Sequence, residues 1–179
     1  MDRDAEDRSL LQRAAAGDRA AMRDLYDRHH DGLFAFIRGR CGDEALAADV
    51  VQDAMLEVWR GAGRFAGGSS VRTWIFSIAR NRLTDRFRKS ARLTYVDAPI
   101  EQVDDGPGPE AAAMASHEAG RLRTCLDKLS EAHRTALRLA FYEDFTYEQI
   151  GEVEGVATGP IKTRIHHAKK LLLRCLGGR

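Results

Sequence analysis

Cationic side chains are concentrated near the C-terminus, where Lys162 to Arg179 contains six bases and no acid. Apolar residues recur there at helical spacing and should pack inward: Ile161, Ile165, Ala168, Leu172 and Cys175. The remaining polar side chains then lie mainly on exposed faces: Lys162, Arg164, His166, Lys169 and Lys170. Such a helix can contact DNA phosphates and reach base edges in the major groove.

The residues before this basic helix have the pattern of a second helix followed by a tight turn. Thr146 and Gln149 are spaced as a capping box, in which each side chain bonds a backbone amide at the helix start. Residues suited to a turn and a new helix start follow: Gly155, Thr158, Gly159 and Pro160. The segment from Thr146 to Leu176 therefore predicts a helix-turn-helix. The alternative is a helical hairpin with a solvated basic face.

A second basic zone runs from Arg72 to Arg92, with seven bases and the single acid Asp85. On a helical wheel one side is apolar and should face the core: Ile75, Phe76, Ala79, Leu83 and Phe87. The opposite side is polar, with Trp74 at its edge: Ser77, Arg80, Asn81, Thr84 and Arg88. Cations and an aromatic ring on one surface suit single-stranded nucleic acid. Core packing of Trp74 is an equal alternative.

An acidic strip lies upstream, where Asp49, Asp53 and Glu57 recur every fourth residue beside Gln52 and Leu56. Like charges at this spacing repel by about 0.2–0.5 kcal/mol per pair, and a basic partner surface would relieve the repulsion. The opposite side is apolar: Val51, Met55 and Val58. A solvated acidic face is the competing interpretation.

Helical periodicity dominates the whole chain and predicts an all-α protein with two small helical domains. Four helices are expected within Ala5–Lys89, with caps or breaks at Asp18, Asp43, Ser69, Ser70, Gly17, Gly42 and Gly61. From about Ala91 to Ser116 the pattern stops, and three of the four prolines occur among acids and glycines. This segment predicts a flexible acidic linker. The expected divisions are 1–90, 91–116 and 117–179.

Composition narrows the possible functions. The 179-residue chain has a net charge of +1 and no apolar run of membrane-spanning length. The first residues lack a signal-peptide pattern, so we expect no membrane insertion and a cytoplasmic location. Three isolated cysteines predict free thiols rather than a disulfide or zinc site: Cys41, Cys125 and Cys175. We find no nucleophile–base set, phosphate loop or metal cluster, and therefore expect neither an enzyme nor a cofactor.

Several motifs in order resemble the extracytoplasmic-function (ECF) sigma factors of the sigma-70 family. The N-terminal half resembles family region 2 in DLYDRHHDGLFAFI, DVVQDAMLEVWR and SSVRTWIFSIARNRLTDRFRK. The C-terminal half resembles region 4 in LDKLSEAHRTALRLAFYEDFTYEQIGEVEGV and IKTRIHHAKKLL. The resemblance covers nearly the whole chain, and it implies a promoter-specificity subunit with core RNA polymerase and promoter DNA as partners. It also implies an anti-sigma factor.

The resemblance implies roles for individual residues. The surface that docks on the clamp helices of the polymerase β′ subunit matches Asp49, Gln52, Asp53 and Leu56. The surface that captures a flipped base of the −10 element matches Ala66, Gly67, Gly68, Ser69, Ser70 and Asn81, with Trp74, Arg80 and Arg88 close by. Arg86 and Lys89 are further expected backbone contacts. The helix that reads the −35 element matches Thr158, Lys162, Arg164, His166, His167 and Lys170.

Two further expectations follow from the resemblance. The linker resembles the segment that threads the polymerase cleft toward the RNA exit channel, and the β subunit is a further expected partner. Its acids are Asp97, Glu101, Asp104, Asp105 and Glu110; an ordinary disordered tether is the alternative. Pro160 departs from the family pattern, which has a residue able to contact DNA there, so the −35 preference should differ.

The main alternative function is a free-standing helix-turn-helix transcriptional regulator, which leaves the acidic strip and the Trp74 surface without a role.

Overall fold

The computed structural model describes residues 3–93 and 113–177. Within these ranges the chain forms eight α-helices, one short 3₁₀ helix at Ala62–Arg64 and no strand, which confirms the all-α prediction. The N-terminal four are α1 (Arg3–Ala15), α2 (Arg19–Cys41), α3 (Glu44–Gly61) and α4 (Val71–Leu93). The C-terminal four are α5 (Ala113–Asp127), α6 (Glu131–Phe141), α7 (Tyr147–Glu154) and α8 (Thr158–Gly177).

Polar caps set the boundaries of the N-terminal helices as predicted. The Asp18 carboxylate accepts from the first amides of α2, and Asp43 accepts from the Leu46 amide in α3. Gly42 ends α2 in the left-handed conformation that glycine adopts without steric cost. Ser70 Oγ accepts from the Thr73 amide and so caps α4. These side chains satisfy amides that a helix start leaves without an intrahelical acceptor.

The predicted linker differs from the structure at both ends. Helix α4 continues to Leu93, and α5 already begins at Ala113. The five linker acids, from Asp97 to Glu110, lie outside the described residues.

The N-terminal core forms where α2, α3 and α4 pack together, with α1 across them. Its fully buried side chains include Leu25, Leu33, Phe36, Val50, Val51, Ile75 and Phe76. The prediction for Phe87 is wrong, because this side chain is 46% exposed. Leu83 is the last buried residue of α4 among those described, so this helix extends past the core before it reaches Phe87.

The C-terminal domain packs α5, α6 and α7 around α8 and is closed by a disulfide. The predicted inward residues Ile161, Ile165 and Ala168 are buried. The prediction of free thiols is wrong for two cysteines, because Cys125 in α5 is bonded to Cys175 in α8. Their Cα atoms lie 5.8 Å apart although 50 positions separate them in sequence. Only the tertiary packing of α5 beside α8 creates this pair, and no local spacing indicates it.

The two domains pack against each other through α4 with α7 and α2 with α6. Phe76 of α4 meets Phe145 edge to face, with ring centroids 5.1 Å apart. The Arg72 guanidinium lies 4.6 Å from the Phe145 centroid and bonds both the carboxylate and the carbonyl of Glu143. Arg40 forms a second ionic link, with its Nη1 2.6 Å from Glu154 Oε1. Aromatic and ionic contacts therefore hold the domains in a closed arrangement.

Two glycines of α2 allow this close approach. A Cβ atom on Gly32 would lie 2.6 Å from the Glu143 carboxylate, and one on Gly39 would lie 2.5 Å from Arg138 Nη1. The two glycines are seven residues apart, so they lie on the same face of α2. This face receives charged side chains of the C-terminal domain.

Candidate functional surfaces

The acidic strip of α3 lies at the surface but is partly paired within the protein. Asp49 is exposed, whereas Asp53 accepts from Arg86 Nη2 at 2.5 Å and Glu57 accepts from Arg82 Nε at 2.5 Å. The hydrogen bond and charge of Asp53 raise the pKa of Arg86. Two arginines of α4 therefore relieve part of the repulsion between these acids, a role that the sequence analysis gave to a basic partner surface.

Gln52 and Leu56 stand beside an apolar groove between α2 and α3. The groove has a volume of about 580 Å³, and Leu56 and Trp59 on its wall are 41% and 39% exposed. Its remaining lining comes from both helices: Arg19, Met22, Arg23, Tyr26, Asp27 and Met55. The sequence analysis missed Trp59, although its position three residues after Leu56 places both on one helix face. Acidic, amide and apolar groups thus share a surface suited to a protein partner.

The loop from Phe65 to Ser70 joins the 3₁₀ helix to α4. Ala66, Gly67 and Gly68 are exposed, and the two serines are half-buried. Gly67 has a φ of +74°, a backbone conformation that other residues adopt only with strain. The loop therefore presents backbone and small polar groups to solvent beside the start of α4.

Trp74 is half-buried and packs against other groups of the N-terminal domain. Its ring centroid lies 5.0 Å from that of Phe65, and its six-membered ring covers Gly61. Asn81 lies seven residues further along the same face and is exposed. Packing within the domain therefore accounts for the contacts of Trp74 with Phe65 and Gly61, and the side chain keeps a partly exposed surface.

The cations of α4 are divided between intramolecular bonds and solvent. Arg80 Nη2 donates to the Glu154 carbonyl at 3.0 Å, and its Nη1 donates to the Asn81 side chain. Arg88 is exposed, with its guanidinium 3.9 Å from the Asp85 carboxylate. The Arg80 end of this surface is therefore covered by the C-terminal domain, while the Arg88 end is open.

Helix α8 presents an open basic face. Its predicted DNA-contacting residues are exposed except Thr158 and Arg164, which are half-buried: Lys162, His166, His167 and Lys170. Over residues 3–93 and 113–177, none of these four forms an ion pair within 4.0 Å. Lys162, His166 and Lys170 recur every fourth residue and form one stripe. This stripe is open to solvent in the closed arrangement of the two domains.

The turn before α8 has the geometry of a helix-turn-helix. The Thr146–Gln149 capping box is present, and Gly155 ends α7 with a φ of +65°. Gly151 is a further requirement that the sequence analysis missed, because a Cβ there would lie 2.7 Å from the Val156 carbonyl oxygen. Helix α8 already begins at Thr158, so Thr158 and Gly159 belong to its first turn rather than preceding it as caps, and Pro160 lies in that turn as predicted.

Three further features of the described ranges concern a reactive thiol, a metal site and a membrane-spanning helix. The Cys41 thiol donates to the Asp43 carbonyl, and burial raises its pKa, which lowers the fraction of reactive thiolate. Among these residues there is no cluster of three or more His, Cys, Asp or Glu that could hold a metal ion. No helix in this part of the chain combines the length and apolar character needed to cross a membrane.

Two family models match the two domains. The model described as Sigma-70 region 2 matches residues 25–93, and the model described as Sigma-70, region 4 matches residues 119–172. The fold and the surfaces together define a two-domain helical transcription factor with a helix-turn-helix in its C-terminal domain.

Relatives and solved structures narrow this class to one family. The ECF RNA polymerase sigma factor SigL of Mycobacterium tuberculosis is 33% identical over 164 residues, which cover 89% of this chain and 90% of SigL. SigW of Bacillus subtilis is 26% identical and covers 93% of this chain and 94% of its own length. The sigma factor RpoE of Bartonella quintana, solved with the anti-sigma factor NepR, is 28% identical with a TM-score of 0.68 and covers 87% of this chain and 98% of its own. The structure of CnrH with the cytosolic domain of CnrY, 26% identical, has the same TM-score and covers 96% of this chain and 97% of that chain. The chain belongs to the ECF sigma factors of the sigma-70 family.

Proposed function

We propose that this protein directs core RNA polymerase to promoters, assists melting of the −10 element and has no catalytic chemistry of its own. In this role the α3 strip and groove bind the β′ clamp helices. The loop from Ala66 to Ser70 and Asn81 capture a flipped −10 base. Helix α8 reads the −35 element. The location that fits this role is the cytoplasm, where the polymerase acts.

The observation that carries the proposal is the joint exposure of three complementary surfaces on two domains. Asp49, Gln52 and Leu56 are exposed on α3, beside an apolar groove. Asn81 is exposed on α4, and Lys170 is exposed on α8. A free-standing helix-turn-helix regulator needs only the last of these, so it leaves the groove and the loop without a role.

The closed arrangement supports the expectation that the protein, when it is not bound to polymerase, binds promoter DNA weakly. Arg80, expected beside the single strand, donates to the Glu154 carbonyl, and Arg72 is occupied by Glu143. These bonds must break before α4 can follow a DNA backbone. An anti-sigma factor that stabilises the closed form would act in the same direction, and the complex of RpoE with the anti-sigma factor NepR supports such a partner.

The deciding experiment is run-off transcription with core polymerase that lacks other sigma factors, on a pool of genomic fragments. Wild-type protein should give promoter-dependent transcripts. Asp53→Arg and Asp49→Arg should each lower them at least about tenfold, as expected when charge reversal costs more than ~1.4 kcal/mol of binding. Asp49→Arg is the cleaner variant, because Asp49 forms no ion pair within 4.0 Å in the described structure.

Asp24→Arg is the matched control, since it reverses an exposed acid of the same domain that lies outside the strip and does not line the groove. It should leave the transcript level unchanged. Absence of any promoter-dependent transcript from wild-type protein would reject the sigma-factor assignment. Tight sequence-specific binding of promoter duplex by the free chain in ~0.15 M salt would instead favour the regulator.

A further inference from the structure

Helix α1 holds the loop that we expect to capture the −10 base. Arg8 reaches from α1 to both ends of this loop: its Nη2 donates to the Ser69 carbonyl at 2.8 Å, and its guanidinium carbon lies 5.5 Å from the Phe65 ring centroid. In the middle of the loop, Arg8 Nη1 lies so close to Gly67 that an added Cβ would approach it to 3.1 Å. One side chain therefore contacts the loop at three positions.

Asp4 supplies the second half of this contact. Its Oδ1 accepts from the Val71 amide at 2.9 Å, and Val71 is the first residue of α4. Its Oδ2 accepts from Arg8 Nε at 2.7 Å, which fixes the direction of the guanidinium. Asp4 and Arg8 are one helical turn apart on α1, so the pair acts as a clamp across the loop and the start of α4.

The loop needs such a clamp because its own sequence gives it little stiffness. Gly67 and Gly68 are adjacent, and glycine loses more backbone entropy on ordering than any other residue. Exposed loops of this composition sample many conformations unless other groups fix them. A pocket for one base requires a loop of fixed shape, since recognition weakens when ordering must be supplied at the moment of binding. Helix α1 precedes the segment matched to Sigma-70 region 2, so it adds to that module from outside.

We propose that Asp4 and Arg8 are positioning residues that set the base preference of the −10 loop without contacting DNA. This inference rests on the proposed capture of a −10 base by the loop. It adds helix α1, which the sequence analysis left without a role, to the determinants of promoter specificity.

A direct contact between Arg8 and a DNA phosphate is the competing explanation, and Asp4 separates the two. If Arg8 acted through its charge on DNA, removal of the neighbouring carboxylate would strengthen binding. If the pair acts through the loop, Asp4→Ala and Arg8→Gln should weaken base selection in the same direction. The double variant should then be little worse than either single variant, as for residues that work as one unit.

The experiment uses holoenzyme assembled from core polymerase and full-length variants, on a promoter obtained from the genomic pool and randomised across its −10 element. We expect Arg8→Gln and Asp4→Ala to reduce discrimination at the captured base about fivefold to tenfold, as loss of a charged hydrogen bond would. Arg8→Lys should restore part of it. Arg13→Gln is the matched control, because Arg13 is an exposed arginine of α1 that pairs with Asp18 away from the loop.

Two measurements keep a folding defect apart from lost positioning. Affinity for core polymerase and discrimination at the −35 element should be unchanged in all variants.

Ser69→Ala and Gly68→Ala in the loop test the proposed function itself: if they do not alter −10 discrimination, the loop does not read the base. If they alter it while Arg8→Gln and Asp4→Ala do not, the loop assignment stands and the clamp is rejected. Stronger binding by Asp4→Ala also rejects the clamp.

Discussion

The two domains use their charged residues in different ways. In the N-terminal domain, Asp7 is buried beside Arg28 and His29. Four arginines of α4 also bond to protein groups: Arg72, Arg80, Arg82 and Arg86. In the C-terminal domain the three lysines of α8 are exposed, and a disulfide links α8 to α5. The DNA surface proposed on α8 is thus exposed in the folded protein, whereas the arginines of the surface proposed on α4 must release protein groups before they can bind DNA.

The largest effect should come from the disulfide. Bridges that close loops of this length contribute about 2–4 kcal/mol, so Cys125→Ser with Cys175→Ser should lower the free energy of unfolding of the C-terminal domain by that amount. Denaturant titration followed by far-UV circular dichroism measures it. Tryptophan fluorescence should shift little, because Trp59 and Trp74, the two tryptophans, are both in the N-terminal domain.

Cys41→Ser is the control for this experiment and should leave the stability and its response to dithiothreitol unchanged. Equal stability with and without the reductant would show that the C-terminal domain does not depend on the bridge. The comparison between a domain held by charge and one held by a covalent link would then fail.

The next effect concerns Asp7 in the N-terminal domain. Its side chain lies 2.9 Å from Arg28 Nη1 and 2.8 Å from His29 Nε2. Burial raises the pKa of Asp7, but the bonds and charges of His29 and Arg28 outweigh it, so the pKa lies below its usual value of 3.8. A carboxyl whose folded pKa is depressed stabilises the protein above its unfolded pKa of about 3.9, and the contribution is lost as pH falls through the folded pKa.

Asp7→Asn should therefore lower the free energy of unfolding at about pH 7 by roughly 1.5–3 kcal/mol, the range for hydrogen bonds to charged groups. The difference from wild type should shrink as the pH falls below about 4. Urea titration followed by tryptophan fluorescence measures it in the N-terminal domain. Asp24→Asn, an exposed position on α2, should be neutral, and a pH-independent defect of Asp7→Asn would contradict the electrostatic explanation.

The smallest effect should be functional and concerns the domain interface. Glu143→Gln weakens the bond to Arg72, which should raise the open population by about tenfold or less. Binding of a single-stranded −10 oligonucleotide to the free chain should tighten by a similar factor, measured by fluorescence anisotropy. Binding of a −35 duplex should not change, because Lys162, His166 and Lys170 are already exposed.

Glu152→Gln makes the same charge change at an exposed position of α7 and should affect neither oligonucleotide. If Glu143→Gln tightened single strand and duplex equally, the gain would come from net charge rather than from domain opening. The distinction between an occupied and an available DNA surface would then be lost.

Local features of the chain were predictable, and features that join distant segments were not. Asp18, Asp43 and the Thr146–Gln149 box identify helix starts because a cap acts on amides within three residues. The Cys125–Cys175 bridge and the bonds of Arg82 and Arg86 depend on how helices pack, so periodicity within one helix does not contain them. Phe87 follows the apolar pattern of α4, but the core ends at Leu83. The pattern within one helix does not show where the core ends.

The candidate surfaces divide in the same way. The exposure of Lys162 and Lys170 follows from the wheel of α8 alone. The cover over Arg80 requires knowledge of where α7 lies, and the contacts of Arg8 require knowledge of where α1 crosses the loop. Residue roles that depend on one helix could thus be predicted, and those that depend on two could not.

The glycines at positions 32 and 39 of α2 have a consequence for the helix that carries them. Glycine in a helix interior lowers helical stability by roughly 0.5–1 kcal/mol relative to alanine. Alanine at Gly32 would push the Glu143 carboxylate away from Arg72, and alanine at Gly39 would displace Arg138. Helix α2 thus has a residue of low helix propensity at two positions where it contacts the C-terminal domain. The sequence of α2 therefore favours the closed form at the expense of helix stability. With alanine at both positions, α2 would be a more stable helix but could not make these close contacts.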